Sequence, residues 1–444
     1  MTKSLFADHL TEQTAAHLAA LPCRGKHILL GLSGGIDSVV LLHLLATLAP
    51  RLEFQLSALH VHHGISPNAD EWARFCLDLC AEQGVACKVA HVDIQPLRET
   101  LGIEAAARQL RHAALAVQDC DFIALAHHAD DQAETLLLQL LRGAGVRGAS
   151  AMPLLRRQDS RIVIRPLLNF SRAELLAYAQ QHGLRWVEDE SNCDECYPRN
   201  FVRHRVFGLL QQKFPACRET LARSAQHFSE AAELLDELAA QDGAGAIERD
   251  RLAVEALSRL STPRAKNLLR YFLHQCGAPM PQSKQLEQML HQLCSARRDA
   301  AVCVQFGNWQ LRRFQGYAEV LSVLPPLDPA LCLRWQGEAT LPWPPLQGRV
   351  LFTQATGEGI SMCKLRSASA TLRLRSGGEH LRPHPRAARR TLKHLLQEHQ
   401  VPPWQRERLP LLFCGDELVA VVGVAIAADF QANTDEVGMV VSCK

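Results

Sequence analysis

Apolar and polar positions alternate differently along different parts of the chain. In the first part, short apolar runs at 27–32, 56–62, 86–92, 121–126 and 162–166 read as strands. Stretches of helical period at 38–48, 68–83, 103–117 and 131–142 lie between them. Strand–helix alternation predicts an α/β fold, a doubly wound parallel sheet with helices on both faces. Ligands of such sheets sit outside the carboxyl ends of the strands. The first 22 residues read as an amphipathic helix. "SRAELLAYAQQHG" predicts another, with Ser171 and Glu174 as a capping box and Gly183 as its stop.

The pattern then changes. Residues 218–241 form a long amphipathic stretch that leads out of the first domain, and about 250–323 read as mainly helical with a β-like end, "AVCVQFGNWQLRRF". Prolines cluster in "LPPLDP" and "LPWPPLQG", which predicts a linker or irregular segment. Strand-like runs ("TLRLRS", "ELVAVVGVAI") and a basic helical stretch follow. The expected division is a nucleotide-binding domain at 1–217, a mainly helical middle domain at 218–323, a proline-rich linker at 324–354 and a small α+β domain at 355–444. The length of 444 residues suits two to four domains.

Net charge is +2, so bulk charge does not point to nucleic acid. Local charge does. Between positions 361 and 410, 11 Lys and Arg stand against 3 Asp and Glu, an excess of +8. Arg382, Arg386, Arg389, Arg390 and Lys393 crowd one part of it, which favours contact with RNA phosphates over a merely solvated face. A second stretch, 197–213, holds three arginines, among them Arg203 and Arg205, and a lysine with no acid. It is a candidate for substrate contact near the site. The 15 cysteines are odd in number and scattered, which predicts a reducing, cytoplasmic setting. No apolar run reaches the ~18–20 residues of a membrane span, and the N-terminus lacks a signal-peptide core.

The strongest local signal is "HILLGLSGGIDSVVLLHLL". The string "SGGIDS" sits where a strand ends and a helix begins. Its glycines let backbone approach a phosphate, and loop amides with the Ser33 and Ser38 hydroxyls can donate to phosphate oxygens. Ser33, Gly34, Gly35, Ile36, Asp37 and Ser38 are therefore the expected nucleotide cradle. A Walker loop would carry a lysine. Here Asp37 stands instead, and a carboxylate beside a polyphosphate implies an intervening Mg²⁺.

The string resembles the pyrophosphate loop of N-type ATP pyrophosphatases, which cleave ATP between the α and β phosphates and adenylate a carbonyl oxygen. "HVHHGISPNADEWARFC", "GIEAAARQLRHAAL", "ALAHHADDQAETLLLQLLRGAG", "WVEDESNCDECYPRNFVRHRV" and "LKHLLQEHQVPPWQRERLPLLF" narrow the resemblance to the tRNA(Ile)-lysidine synthetases in their long, three-domain form. It is tight in the first ~210 residues and the last ~70, and loose between. It implies that ATP adenylates the 2-carbonyl of the wobble cytidine in a tRNA(Ile) with a CAU anticodon. Free L-lysine then attacks that carbon and AMP leaves. The protein is expected to act as a monomer or homodimer.

That chemistry needs cations near the phosphates and an acid/base group near the amine. Asp37 and Asp131 are candidates to hold Mg²⁺, and Arg108 and Arg142 to stabilise phosphate or activated base. His127, Asp131 and Glu134 match the family's catalytic-site motif, without individual roles. Asp189, Asn192 and Asn200 match its "EDESN…RN" motif, for lysine or nucleotide. Bland readings stand beside these: Asp131 and Glu134 also have capping-box spacing, and His127 and His128 are ordinary core candidates. His60, His62 and His63 lack a convincing ligand partner. "CDEC" at 193–196 would serve a competing reading, a cytidine thiolase with catalytic cysteines. A third reading is an RNA-binding protein that keeps the ATP fold without catalysis.

Overall fold

The computed structural model describes residues 2–158, 161–190, 194–297, 300 and 302–444. Two units are compact, one reaching to Glu237 and one from Leu238 to Lys444.

The first unit is built on strands β1 (His27–Gly31), β2 (Gln55–His62), β3 (Ala86–His91), β4 (Phe122–Ala124), β5 (Leu155–Gln158) and β6 (Arg161–Ile164). Its helices are α1 (Thr2–Ala19), α2 (Ile36–Leu52), α3 (Ala69–Glu82), α4 (Gln95–Leu101), α5 (Ile103–Ala116), α6 (Ala129–Leu141), α7 (Val146–Ala149) and α8 (Arg172–Gln181). The sheet order is β3-β2-β1-β4-β6-β5, parallel except for β5, which returns antiparallel on β6. Alternation along β1 decides which helices cover which face. Ile28 and Leu30 pack with residues of α1, α2, α3 and α8. Leu29 points the other way, with Leu59, Leu115, Ile123 and Val163. The chain builds outward from β1 to β2 and β3, then resumes at β4 on the other side of β1. The crevice at that reversal lies between the carboxyl ends of β1 and β4, and it brings the loops after those two strands together.

Local signals account for the element ends. The Ser171 hydroxyl accepts from the Glu174 amide at 3.3 Å while the Glu174 carboxylate accepts from the Ser171 amide at 2.7 Å, the reciprocal cap expected of the sequence. Helix α2 starts two residues before the predicted 38 and runs through Pro50 to Leu52. β6 corresponds to the strand expected at 162–166, whereas β5 was not foreseen, because it is four residues long with two arginines at its centre. After α8 come α9 (Pro198–Phe201), a π-helical turn at Val202–Val206, α10 (Phe207–Lys213) and the long α11 (Cys217–Gly243).

The expected break at 217/218 does not match the compact units. Leu221, Ala225 and Phe228 of α11 pack with Leu136 of α6 and Ala149 of α7, so most of this helix belongs to the first unit.

In the second unit, β7 (Ile247–Glu248), β8 (Arg251–Ala253), β9 (Cys303–Phe306), β10 (Trp309–Phe314) and β11 (Tyr317–Ser322) form an antiparallel sheet. It shares one core with α12 (Val254–Arg259), α13 (Thr262–Gln275) and α14 (Ser283–Ser295). The middle region is thus helix and sheet together, where helical periodicity had dominated the reading.

The proline-rich stretch is not a linker. It supplies β12 (Cys332–Arg334), β13 (Thr340–Trp343) and β14 (Gly348–Thr356) to two further antiparallel sheets. β13 is an edge strand, and Pro342 sits on it, where a missing N–H is tolerated. Trp343 is fully buried and donates to the Arg408 carbonyl at 2.7 Å. The remaining strands are β15 (Ile360–Ser361), β16 (Ala370–Arg373), β17 (His380–Leu381), β18 (Arg390–Thr391), β19 (Leu411–Cys414), β20 (Glu417–Val421), β21 (Ala425–Ile426) and β22 (Val437–Cys443). Short helices at Met362–Leu365, Leu392–Glu398 and Pro403–Arg406 interrupt them.

One position tests the β1–α2 turn directly. Gly34 has φ +88, and a Cβ there would stand 2.9 Å from Val187 Cγ2 and 3.2 Å from Cys76 Sγ. Gly34→Ala is expected to cost about 1–3 kcal/mol and to lower the melting temperature of the first unit by roughly 2–10 °C. Adding Val187→Ala should recover the steric part and leave the backbone part.

Candidate active site

The loop between β1 and α2 is held by one side chain. Ser38 Oγ accepts from the amides of Ser33 (3.2 Å) and Gly34 (3.1 Å), lies 3.0 Å from Ser33 Oγ and donates to the Gly35 carbonyl at 2.9 Å. Its hydroxyl and those two amides are therefore spent on shaping the loop, a correction to the expectation that they face phosphate. The amides of Ile36 and Asp37, at the start of α2, have no acceptor within the helix and carry its positive dipole end. Gly35 precedes them as the extended N-cap, where a Cβ would meet Ser33 Oγ at 3.6 Å.

Asp37 opens toward the crevice. Its Oδ1 is buried without a hydrogen-bond partner, and its Oδ2 lies 3.7 Å from His128 Nε2. Burial pushes its carboxyl up from the usual range; His128 opposes that shift. A buried, unpaired hard oxygen beside a phosphate cradle is what a Mg²⁺ ligand requires.

Across the crevice, α6 begins after β4 and presents Asp131 and Glu134 one turn apart. The box that Asp131 and Glu134 could have formed is displaced by one turn: His128 is the N-cap, and Asp131 Oδ2 accepts from its amide at 3.1 Å. Asp131 does more besides. Asp131 Oδ1 pairs with Arg199 at 2.7 Å and Arg203 at 3.3 Å. Glu134, with no exposed surface, accepts from Arg199 Nε at 2.8 Å and Arg203 Nε at 2.6 Å. Burial alone would raise the Asp131 carboxyl, but His128, Arg199 and His127 hold it well below the carboxylate range. With both oxygens engaged, Asp131 fits the expected metal role poorly, whereas Asp37 fits it.

The pairing arginines come from α9 and the π-helical turn, a distortion frequent at functional sites. Arg199 was not singled out from the sequence, although it lies in the acid-free 197–213 stretch. Arg218, at the start of α11, was also missed. Its guanidinium lies 3.2 Å from Asp130 and 3.7 Å from Glu134, donates to the Arg203 carbonyl at 3.1 Å and stacks 4.3 Å over Phe207.

Other expected residues divide. Burial lowers the Arg108 guanidinium and Arg199 adds repulsion, with Asp131 acting the other way, which places Arg108 in the same electrostatic neighbourhood. Arg142 is not brought in: it is exposed at the C-cap of α6, roughly 16 Å along the axis from Asp131. Arg205 pairs with Glu195 at 2.8 Å and is largely exposed. Asn200 is buried and donates to the Asp194 carbonyl at 2.9 Å, an anchoring role in its loop. Asp189 is half-buried and supports the charge of Arg111. Asn192 lies outside the described residues, as does Cys193 of the C-x-x-C; Cys196 is exposed. Among the described residues, no group of three or more His, Cys, Asp or Glu is arranged to hold a metal. In the second unit Arg386, Arg389, Arg390 and Lys393 are exposed around β18, while Arg382 pairs with Asp429 at 2.6 Å and Arg390 with Glu398. No helix among the described residues is long and apolar enough to cross a membrane.

Three imidazoles of the first unit share one property. Burial holds His127 down at about 3, and His63 and His112 at about 4, with neighbouring arginines pushing the same way. In the unfolded chain each protonates near 6.5. The unfolded state therefore binds more protons between pH 6.5 and about 4, and stability must fall as pH falls through that window. Unfolding at pH 5 is expected to take up close to three protons from these groups. His127→Gln should reduce that uptake by about one, read from the pH dependence of unfolding.

Three family models match the chain: a PP-loop domain over residues 8–210, a TilS substrate binding domain over 252–318 and a TilS substrate C-terminal domain over 370–443. The tRNA(Ile)-lysidine synthase of Nitrosomonas europaea is 43% identical over 444 residues, 99% of this chain and 97% of that one. That of Coxiella burnetii is 38% identical over 409 residues, 91% and 90% of the two chains. Among solved structures, the U34-tRNA thiolase NcsA from Methanococcus maripaludis gives a TM-score of 0.45 at 20% identity, covering 51% of this chain and 80% of that one, too loose a likeness to weigh. With an ATP-binding loop at the switch point and relatives matching from end to end, the chain belongs to the tRNA(Ile)-lysidine synthase family of ATP-dependent ligases.

Proposed function

We propose that the protein joins the ε-amine of L-lysine to C2 of the wobble cytidine in a CAU-anticodon tRNA(Ile), converting ATP to AMP and pyrophosphate. The observation that carries this reading is the coverage of 99% of the chain by a lysidine synthase at 43% identity, together with both TilS domains. The base oxygen O2 attacks the α-phosphorus and the α–β bridge breaks, releasing pyrophosphate. The amine then adds at C2, and the C–O bond breaks to release AMP. Lysidine pairs with A in place of G, so decoding shifts from AUG to AUA. We place this activity in the cytoplasm.

In this reading the Ile36 and Asp37 amides receive phosphate oxygens at the α2 N-terminus. Asp37 would hold Mg²⁺ through its unpartnered oxygen, and the ion would supply positive charge against the leaving pyrophosphate. Arg199, Arg203 and Arg108 bring fixed positive charge to the opposite side, where bidentate guanidinium contacts suit phosphate. His127 stays neutral at ordinary pH and serves as an uncharged hydrogen-bond partner beside Asp131. The exposed Arg386, Arg389 and Lys393 position tRNA through its backbone, without reading sequence.

The first test follows radiolabelled lysine into a tRNA(Ile) transcript bearing CAU, with AMP measured in parallel and a tRNA(Met) control. Label in the isoleucine tRNA alone is expected. AMP without label would redirect the reading to another nucleophile, sulfur first. Neither would leave an RNA-binding protein. Asp37→Ala is expected to cut both signals by at least a hundredfold while leaving tRNA binding intact. Replacing Arg386, Arg389 and Lys393 by Ala should weaken tRNA binding and flatten the slope of log affinity against log salt by roughly 2–3.

A further inference from the structure

In the crevice the two α6 carboxylates are already neutralised by side chains. Asp131 and Glu134 carry two negative charges, and Arg199 and Arg203 bring two positive ones within 3.3 Å. Such a site has little attraction for the ammonium of free lysine. It also presents two guanidiniums to a crevice that takes a polyphosphate. Both facts follow from the same ion pairs.

We propose that nucleotide creates the lysine site by exchanging ion pairs: polyphosphate on the β1–α2 loop draws Arg199 and Arg203 off Asp131, and the freed carboxylate receives the ε-ammonium of lysine. This rests on the ligase reading above. A guanidinium fork matches phosphate as well as it matches carboxylate. The path is short. Asp131 Oδ2 lies 3.4 Å from His128 Nε2, which lies 3.7 Å from Asp37 on the loop. The two arginine side chains keep 24% and 19% of their surface exposed, whereas Glu134 keeps none, so the arginines are the partners free to move toward the crevice.

Arg218 makes the exchange tolerable. A buried carboxylate stripped of its partner costs several kcal/mol. Glu134 would retain Arg218 at 3.7 Å, and Arg218 also holds the Arg203 carbonyl at 3.1 Å, so the backbone stays while the side chain turns. Asp131 has no second guanidinium in reserve, only the His128 amide at 3.1 Å and the His128 imidazole at 3.4 Å. Once the fork leaves, a cation must take its place, and an amino acid without a cationic end cannot supply one. Order of binding and choice of amino acid then have one origin.

The experiment is equilibrium dialysis of radiolabelled lysine against the full-length protein with CAU tRNA(Ile), with and without Mg²⁺ and α,β-methylene-ATP, which cannot release pyrophosphate. At least tenfold tighter lysine binding with the nucleotide is expected, and linkage requires lysine to tighten nucleotide binding by the same factor. Arg199→Gln should let lysine bind without nucleotide and reduce the coupling below threefold. Arg203→Gln gives the same readout should the first variant fold poorly, and the wild-type comparison needs neither. Equal lysine affinity in both arms, or none in either, overturns the exchange. Failure of the ligase reading is seen separately, as absence of label in tRNA in the assay above.

Discussion

Four carboxylates, Asp37, Asp130, Asp131 and Glu134, meet where the loops after β1 and β4 converge, and they must be neutralised in little space. The fold spends three arginines on the three that α6 carries: Arg199, Arg203 and Arg218. It leaves Asp37 with an unpartnered buried oxygen. That asymmetry organises the site. The carboxylate on the loop keeps one oxygen unpaired, and those on the helix have guanidinium partners.

The cost of this arrangement explains the segment that carries the arginines. Removing one partner of a buried pair typically costs about 3–5 kcal/mol, so Arg199 and Arg203 must be placed closely. A π-helical turn changes the angular spacing between them and lets both reach the same two acids. Arg218, stacked on Phe207 and fixed to Arg203's carbonyl, braces the turn from α11.

What could be read from the sequence was what the chain states locally. The glycine–serine loop, the Ser171–Glu174 cap and the strand–helix alternation each involve residues a few positions apart. The pairing of Arg199 with Glu134 spans 65 residues and leaves no periodic trace. In sequence the 197–213 stretch looked like an unpaired basic face because its acids lie elsewhere in the chain. Arg142 erred the other way: it shares a motif string with Glu134 but sits at the opposite end of the same helix. Ser38 was placed at the loop correctly, yet its job is to bond the loop to itself, a distinction only geometry makes. Proline misled at 324–354 because its effect depends on strand position, and an edge strand accepts it.

The burial of Trp343 sets where the gene can be cut. Trp343, Val350 and Phe352 share a core with Leu372, Leu412 and Val419. Arg408 donates to the carbonyls of Pro325 at 2.8 Å and Pro345 at 3.1 Å, and Trp404 lies under Arg312 and against Phe314 of the preceding sheet. A fragment begun at residue 355 would lack three strands and the indole at the centre of its core. The region that looks most like a joint is a seam: it completes the core on its C-terminal side and is tied by Arg408 to the strands that follow.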